Sequence, residues 1–139
     1  MIDLVKITDS PIDPNYLIDL VKTDDSGAVN VFVGTVRNST KNREVKKLEF
    51  EAYDSMAIKE INKIIDQVKE KWPVRTMAIY HRVGVLGIGD IPVVIAVSTP
   101  HRQAGFEACQ YAIDTLKETV PIWKKEYFAD GEQWVSAHP

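Results

Sequence analysis

The sequence has 139 residues, 45% of them hydrophobic and 27% charged, with a formal net charge of −3. That is the length and balance of one ordinary globular domain, taken here as residues 1–139, and the acidic balance argues against a broad nucleic-acid footprint. No apolar run approaches the roughly 20 residues of a membrane span, and the Met-Ile-Asp-Leu-Val-Lys start lacks a signal peptide's layout.

In chain order, residues 3 to 8 read as a short strand. Asp13-Pro14 reads as an N-cap with proline at the first helical position. Leu17, Leu20 and Val21 give that helix an apolar side, and Ser26-Gly27 ends it. Ala28 to Val36 is a strand in which Val29, Val31 and Val33 alternate with Asn30 and Phe32; Gly34 near its end suggests a bulge or a close backbone approach. Arg37 stands at the strand's exit, and Asn38 to Lys47 reads as a polar, basic loop with no glycine for a tight turn. Lys47 to Tyr53 alternates again, with Leu48, Phe50 and Ala52 opposite Glu49, Glu51 and Tyr53.

Asp54 to Lys71 is the clearest helix, with Ala57, Ile58, Ile61, Ile64, Ile65, Val68 and Trp72 on one stripe and Trp72-Pro73 closing it. Val74 to Arg82 and Pro92 to Ser98 read as strands joined through Gly84, Gly87 and Gly89. Thr99-Pro100 repeats the cap-then-proline pattern and opens a helix through Ala104, Ala108, Cys109, Ala112, Ile113 and Leu116. Pro121 stops it, because proline lacks the backbone donor and clashes with the preceding turn. One or two short strands cover Trp123 to Val135. Strands outnumber helices and several are joined too briefly for helical crossovers, which implies an α+β fold, a mostly antiparallel sheet with packed helices.

The stretch Leu116 to Glu126 carries the strongest functional signal. Lys117 falls in a helix's last turn and Lys124 on the extended segment that folds back. Two ammonium groups converging on one pocket suit an anionic substrate and a reaction that develops negative charge. The competing reading is a lysine that complements the helix dipole, with Lys124-Lys125 on solvated surface. Pro100-His101-Arg102 follows a strand and opens a helix, a natural anion site or an ordinary helix start. Arg37 is a phosphate or carboxylate fork, or an edge charge. The run Lys41, Arg43, Lys46, Lys47 reads as a solvated loop able to receive an acidic partner. The glycine connection lacks the Lys-Ser/Thr ending of a phosphate loop and reads as turn chemistry.

His81, His101, His138 and Cys109 lack metal-ligand spacing, so no metal is expected, and no cofactor is expected either. Cys109 is the single cysteine. It falls on a buried stripe, no internal disulfide can form, and a reducing cytoplasm is the natural compartment. Taken together, basic groups recur at strand exits and helix ends, and the pattern points to an anion-handling pocket.

Val33-Gly34-Thr35-Val36-Arg37-Asn38, Leu48 to Tyr53 and Met56-Ala57, then His81-Arg82-Val83-Gly84, His101-Arg102, Phe106 to Cys109, Lys117 and Pro121 to Glu126 form an ordered set, continued by Gly131 and Trp134. This set resembles the molybdopterin synthase large (catalytic) subunit family over nearly the whole chain. The resemblance implies the family's α/β-hammerhead fold and a homodimer within a heterotetramer, without nucleic acid or membrane. Each copy binds a small ubiquitin-like sulfur-carrier subunit whose Gly-Gly tail ends in a thiocarboxylate. Sulfur passes twice to cyclic pyranopterin monophosphate and builds the molybdopterin dithiolene.

By motif, the resemblance makes Lys117 and Lys124 the catalytic lysines, with Lys117 facing the carrier's terminal carbonyl and Lys124 the pterin. It makes Arg37, His101, Arg102, Lys117, Lys124 and Glu126 substrate-binding, some of them supplied across the dimer. Longer relatives continue past the point matching His138-Pro139 into a tail with a further basic residue, which this sequence does not carry over. The rivals are a non-catalytic adaptor that docks a ubiquitin-like tail, and a stand-alone enzyme on a phosphorylated metabolite.

Overall fold

A computed structural model describes residues 3–136, so His138 and Pro139 lie outside it, as does the side chain of Trp134. Among the described residues, nine strands form two sheets, accompanied by three helices. In the first, β1 (Val5–Thr8), β5 (Thr76–Arg82), β7 (Val93–Thr99) and β2 (Ala28–Gly34) lie side by side in that order. Only the β1–β5 pair is parallel. In the second, β4 (Arg43–Ala52) pairs with β8 (Ile122–Phe128) along one edge and with β3 (Ser39–Thr40) and β6 (Gly84–Gly87) along the other, and β9 (Gly131–Ser136) flanks β8. The expected α+β architecture, antiparallel for the most part, is what forms.

Alternation on the first sheet sorts its side chains into two cores. Ala78, Tyr80, Val94 and Ala96 face helix α1 (Pro14–Val21) through Leu17 and Val21. Met77, Ile79, Ile95 and Val97 face helices α2 (Asp54–Lys71) and α3 (Arg102–Thr119), and this larger core continues to Leu48, Phe50 and Ile122 of the second sheet. Burial on both faces explains why β7 is an unbroken run of buried residues.

Local chemistry sets the element ends. The side chain of Asp13 accepts from the Asn15 N–H at 3.0 Å, the cap expected before Pro14. Helix α1 ends earlier than Ser26-Gly27, at Val21, because the Ser26 hydroxyl and N–H both bond the Thr23 carbonyl and capture the backbone in a turn. Helix α2 spans the expected residues, although Ile58 on its stripe is 36% exposed.

Helix α3 does not use Thr99 as its cap. Thr99 stays in β7 opposite Ala28, its hydroxyl donates to the His101 carbonyl at 2.7 Å, and the helix starts at Arg102 with His101 as an N-cap that makes no side-chain bond. Two connections read as loops also contain strands. Ser39–Thr40 pairs with Glu44 and Arg43 to close a hairpin, and Gly84–Gly87 pairs with β4. The hairpin needs no glycine because Lys41 (φ 49°) and Asn42 (φ 65°) both take the left-handed conformation of a type I′ turn.

Candidate active site

The second sheet, the end of α3 and the exit of β2 enclose a cleft of about 640 Å³. Each wall follows from periodicity. On α3 and its C-cap, Ile113, Leu116, Lys117 and Val120 recur at i, i+3, i+4 and i+7 and form one side. On β8, Ile122, Lys124, Glu126 and Phe128 share one face, and Phe50 and Leu48 stand opposite Lys124 and Glu126 on β4. Phe32 and Gly34 of β2, with Val93 of β7, close the other side. Gly34 is the close approach: a Cβ there would stand 2.8 Å from Cγ1 of Val93, and pairing runs unbroken through Gly34 and Val93 without a bulge.

Lys117 and Lys124 therefore arrive from different elements at one cleft, as the Pro121 break implies. Lys117 is half-buried and makes no ion pair among the described residues. Lys124 lies 3.6 Å from Glu126 Oε1, and the Glu126 side chain is only 6% exposed. A carboxylate this buried needs a cation beside it, so Glu126 and Lys124 hold one another in place.

Arg37 also lines the cleft and is exposed. The glycine connection positions it. The Asp90 carbonyl accepts from the Val36 N–H at 2.9 Å, and the Gly89 N–H donates to the Val36 carbonyl at 2.8 Å. Gly89 holds φ 87° in this turn, and the Asp90 carboxylate accepts from the Gly87 N–H. The glycine connection thus clamps the backbone beside Arg37.

His101 and Arg102 do not join this group. They are exposed at the start of α3, outside the cleft that their own chain forms around Lys117 at its far end.

Several lining residues, His81 among them, escaped the site reading from sequence. Thr40, Lys41 and Arg43 belong to the hairpin that reads as a solvated loop. A β-bulge re-aims Arg43: Val45 and Lys47 of β4 oppose the consecutive residues Phe128 and Tyr127, leaving Lys46 unmatched. Odd positions before the bulge and even positions after it face the same way. The signal was present, since the buried positions Val45 and Leu48 are three apart instead of two. The Arg43 guanidinium stacks 3.6 Å from the Phe128 ring centroid and bonds Asp130 at 2.8 Å.

Among the described residues, the cleft lining thus gathers Arg37, Lys41, Arg43, Lys117 and Lys124 with the one lining carboxylate, Glu126, Arg43 being paired also with Asp130 outside the lining, on a chain whose net charge is −3. It is built to receive anions. Cys109 is no rival centre: it is buried, and burial pushes its thiol up to about 11, so it holds no thiolate near neutrality.

Fold and site define an α+β protein with a basic cleft between a helix end and an antiparallel sheet. Residues 7–119 match the family model described as MoaE protein. The chain is 48% identical over 130 residues to the molybdopterin synthase catalytic subunit of Bacillus subtilis, covering 94% of this chain and 83% of that one. It superposes on the crystal structure of molybdopterin synthase from Staphylococcus aureus with a TM-score of 0.92 and 43% identity, covering 97% and 98% of the two chains. A complex of subunits 1 and 2 of molybdopterin-converting factor from Helicobacter pylori shares the fold, with TM-score 0.78 and 23% identity over 98% and 94%. The chain belongs to the MoaE family, that of the molybdopterin synthase catalytic subunits. Among its described residues, no helix is long and apolar enough to cross a membrane.

Proposed function

We propose that this chain transfers sulfur from the C-terminal thiocarboxylate of a small ubiquitin-like carrier to cyclic pyranopterin monophosphate, twice, to make the molybdopterin dithiolene. The observation that carries the proposal is the convergence of Lys117 and Lys124 from α3 and β8 on one half-buried basic cleft. Both reactants are anionic. The thiocarboxylate sulfur bonds to a pterin side-chain carbon, where it takes the place of an oxygen substituent, and links carrier to substrate as a thioester. Water then attacks the acyl carbon, negative charge builds on the carbonyl oxygen, and the acyl carbon–sulfur bond breaks, so that the sulfur stays on the pterin and the carrier leaves as a carboxylate. Fixed cations in a partly dry site stabilise that charge without reorganising.

Lys117, free of an ion pair among the described residues, faces the carrier carbonyl. Lys124 faces the pterin, held by Glu126. Arg37 takes the substrate phosphate. His101 and Arg102, remote from their own chain's cleft, reach the cleft of a second copy in a homodimer, and two carriers complete a heterotetramer working in the cytoplasm. Cys109, with no thiolate character, fits a sulfur donor that arrives on another protein.

The test supplies purified chain with carrier ending in a thiocarboxylate or in an ordinary carboxylate. Dithiolene product should form only with the former. Mixing Lys117→Ala and His101→Ala chains, each inactive, should restore part of the activity if the two residues act across the dimer. Product without any carrier would instead identify a stand-alone enzyme.

A further inference from the structure

The polar side chains of the chain's own cleft given a role so far are cations and the carboxylate beside one. His81 is neither, and the chemistry above does not use it. It stands on β5 two residues after Ile79, on the face that Met77 and Ile79 turn to the main core, and it lines the cleft while only 3% exposed. Its ring meets Phe50 edge-on at 5.3 Å between centroids.

The Nδ1 atom lies 2.8 Å from the Arg82 carbonyl oxygen. A carbonyl only accepts, so the neutral ring carries its proton on Nδ1 and a lone pair on Nε2. Burial lowers the ring's pKa to about 4, against the opposing pull of the Arg82 carbonyl, so it is neutral at physiological pH. Among the described residues, none hydrogen-bonds Nε2. With Nδ1 turned to its own backbone, Nε2 is the ring nitrogen left for a ligand.

The surroundings narrow what that ligand edge is. Phe32, Phe50, Pro92 and Val93 line the same cleft with flat apolar surface, which suits a planar ring. The five cations there are donors only, and Glu126 is engaged by Lys124. The side-chain acceptors left among the lining residues are the hydroxyls of Thr35 and Thr40 and the His81 ring, and only His81 stands on the buried face beside Phe50. A heterocycle that turns its anionic group to the cations must still satisfy its own N–H or O–H donors. Left unpaired in a half-buried site, they would weaken binding.

We propose that His81 accepts, through Nε2, a hydrogen bond from a ring N–H or O–H of the heterocyclic substrate, and so fixes which edge of the ring enters the cleft. The inference rests on the function proposed above and adds a residue that reads the substrate's neutral edge.

The two amide isosteres separate this role from a structural one. In His81→Asn the side-chain N–H can replace Nδ1–H toward the Arg82 carbonyl, but nothing replaces Nε2. In His81→Gln the amide reaches the Nε2 position and the backbone bond is lost. The measurement is kcat and KM for cyclic pyranopterin monophosphate with saturating thiocarboxylated carrier, with the melting temperature of each variant.

His81→Asn should keep its melting temperature and raise KM about tenfold, the loss of one hydrogen bond. His81→Gln should melt lower and keep a KM nearer that of the parent chain. A parental KM in His81→Asn, or equal KM changes in both variants, overturns the role of Nε2 while leaving the sulfur-transfer reading intact. A parent chain that neither binds nor converts the substrate overturns both.

Discussion

The two sheets of this molecule are built on opposite terms. The first is covered on both faces, and β7 at its centre is buried along its whole length. The second carries Arg43, Lys124 and Glu126 toward a cleft, alternates charged with apolar residues along the second half of β4, and sets three charged residues in a row, Lys124, Lys125 and Glu126, on β8. One sheet supplies the hydrophobic burial that keeps the chain folded. The other places cations and a carboxylate where they are half-desolvated, which costs stability and makes them useful. Stability and chemistry are therefore separable by mutation, and the comparison can be tested from either side.

The largest expected effect falls on chemistry. Lys117→Ala should slow sulfur transfer on the order of 10³-fold, as for loss of one preorganised charge at a developing oxyanion. Chemical denaturation should show its stability changed by no more than about 0.5 kcal/mol. The first sheet should respond in the opposite way. Ile95 on β7 is 0% exposed, so Ile95→Ala should cost about 3 to 4 kcal/mol in urea unfolding. Turnover per folded molecule should stay at the parental value.

Acid sharpens the comparison at the point where the sheets meet. His81 in the folded chain titrates near about 4 because it is buried, below its ordinary value of 6.5. As the pH falls below 6.5 the unfolded chain takes up a proton that the folded chain refuses until about 4. Stability should therefore drop through that window, by up to about 3 kcal/mol, and above 6.5 this ring should contribute no slope. Melting curves of His81→Asn across the same window should lack that component.

The smallest effect belongs to the hairpin. Lys41 holds φ 49°, a conformation that costs a side-chain-bearing residue about 1 to 2 kcal/mol and glycine nothing. The greater backbone entropy of glycine in the unfolded chain takes back about half of that gain. Lys41→Gly should thus stabilise the fold by roughly 0.5 kcal/mol while weakening substrate binding measured by titration. A variant that gained neither stability nor a binding defect would remove the hairpin from the site.

Much of the first sheet was legible in the sequence, because burial imposes a pattern. The alternation of β2 and the stripe of α2 are periodic because one side of each faces a core, and β5 and β7 read as continuous apolar runs because both their faces are covered. The second sheet was read less fully. The pairing of β6 depends on β4, some forty residues earlier in the chain, and no local pattern announces it. The type I′ turn at Lys41-Asn42 lacks the glycine that usually marks one. The bulge at Lys46 shifts alternation by one and made a cleft-facing arginine look like part of a solvated run.

At the site, the placement of Lys117 and Lys124 followed from Pro121 and simple periodicity, whereas their roles came from the family resemblance. His81 is the instructive omission. Its alternation with Met77 and Ile79 put it on the inner face, but only the folded chain shows that this face opens into the cleft.

The account stands or falls on whether the cations gathered by α3 and β8 perform the chemistry. The most direct measurement is single-turnover sulfur transfer within a preformed complex of Lys117→Ala and thiocarboxylated carrier, with carrier affinity determined on the same sample. The account predicts parental affinity for the carrier and transfer slowed at least about 100-fold. Transfer at the parental rate would contradict it, and the convergence of Lys117 and Lys124 would then be an accident of packing.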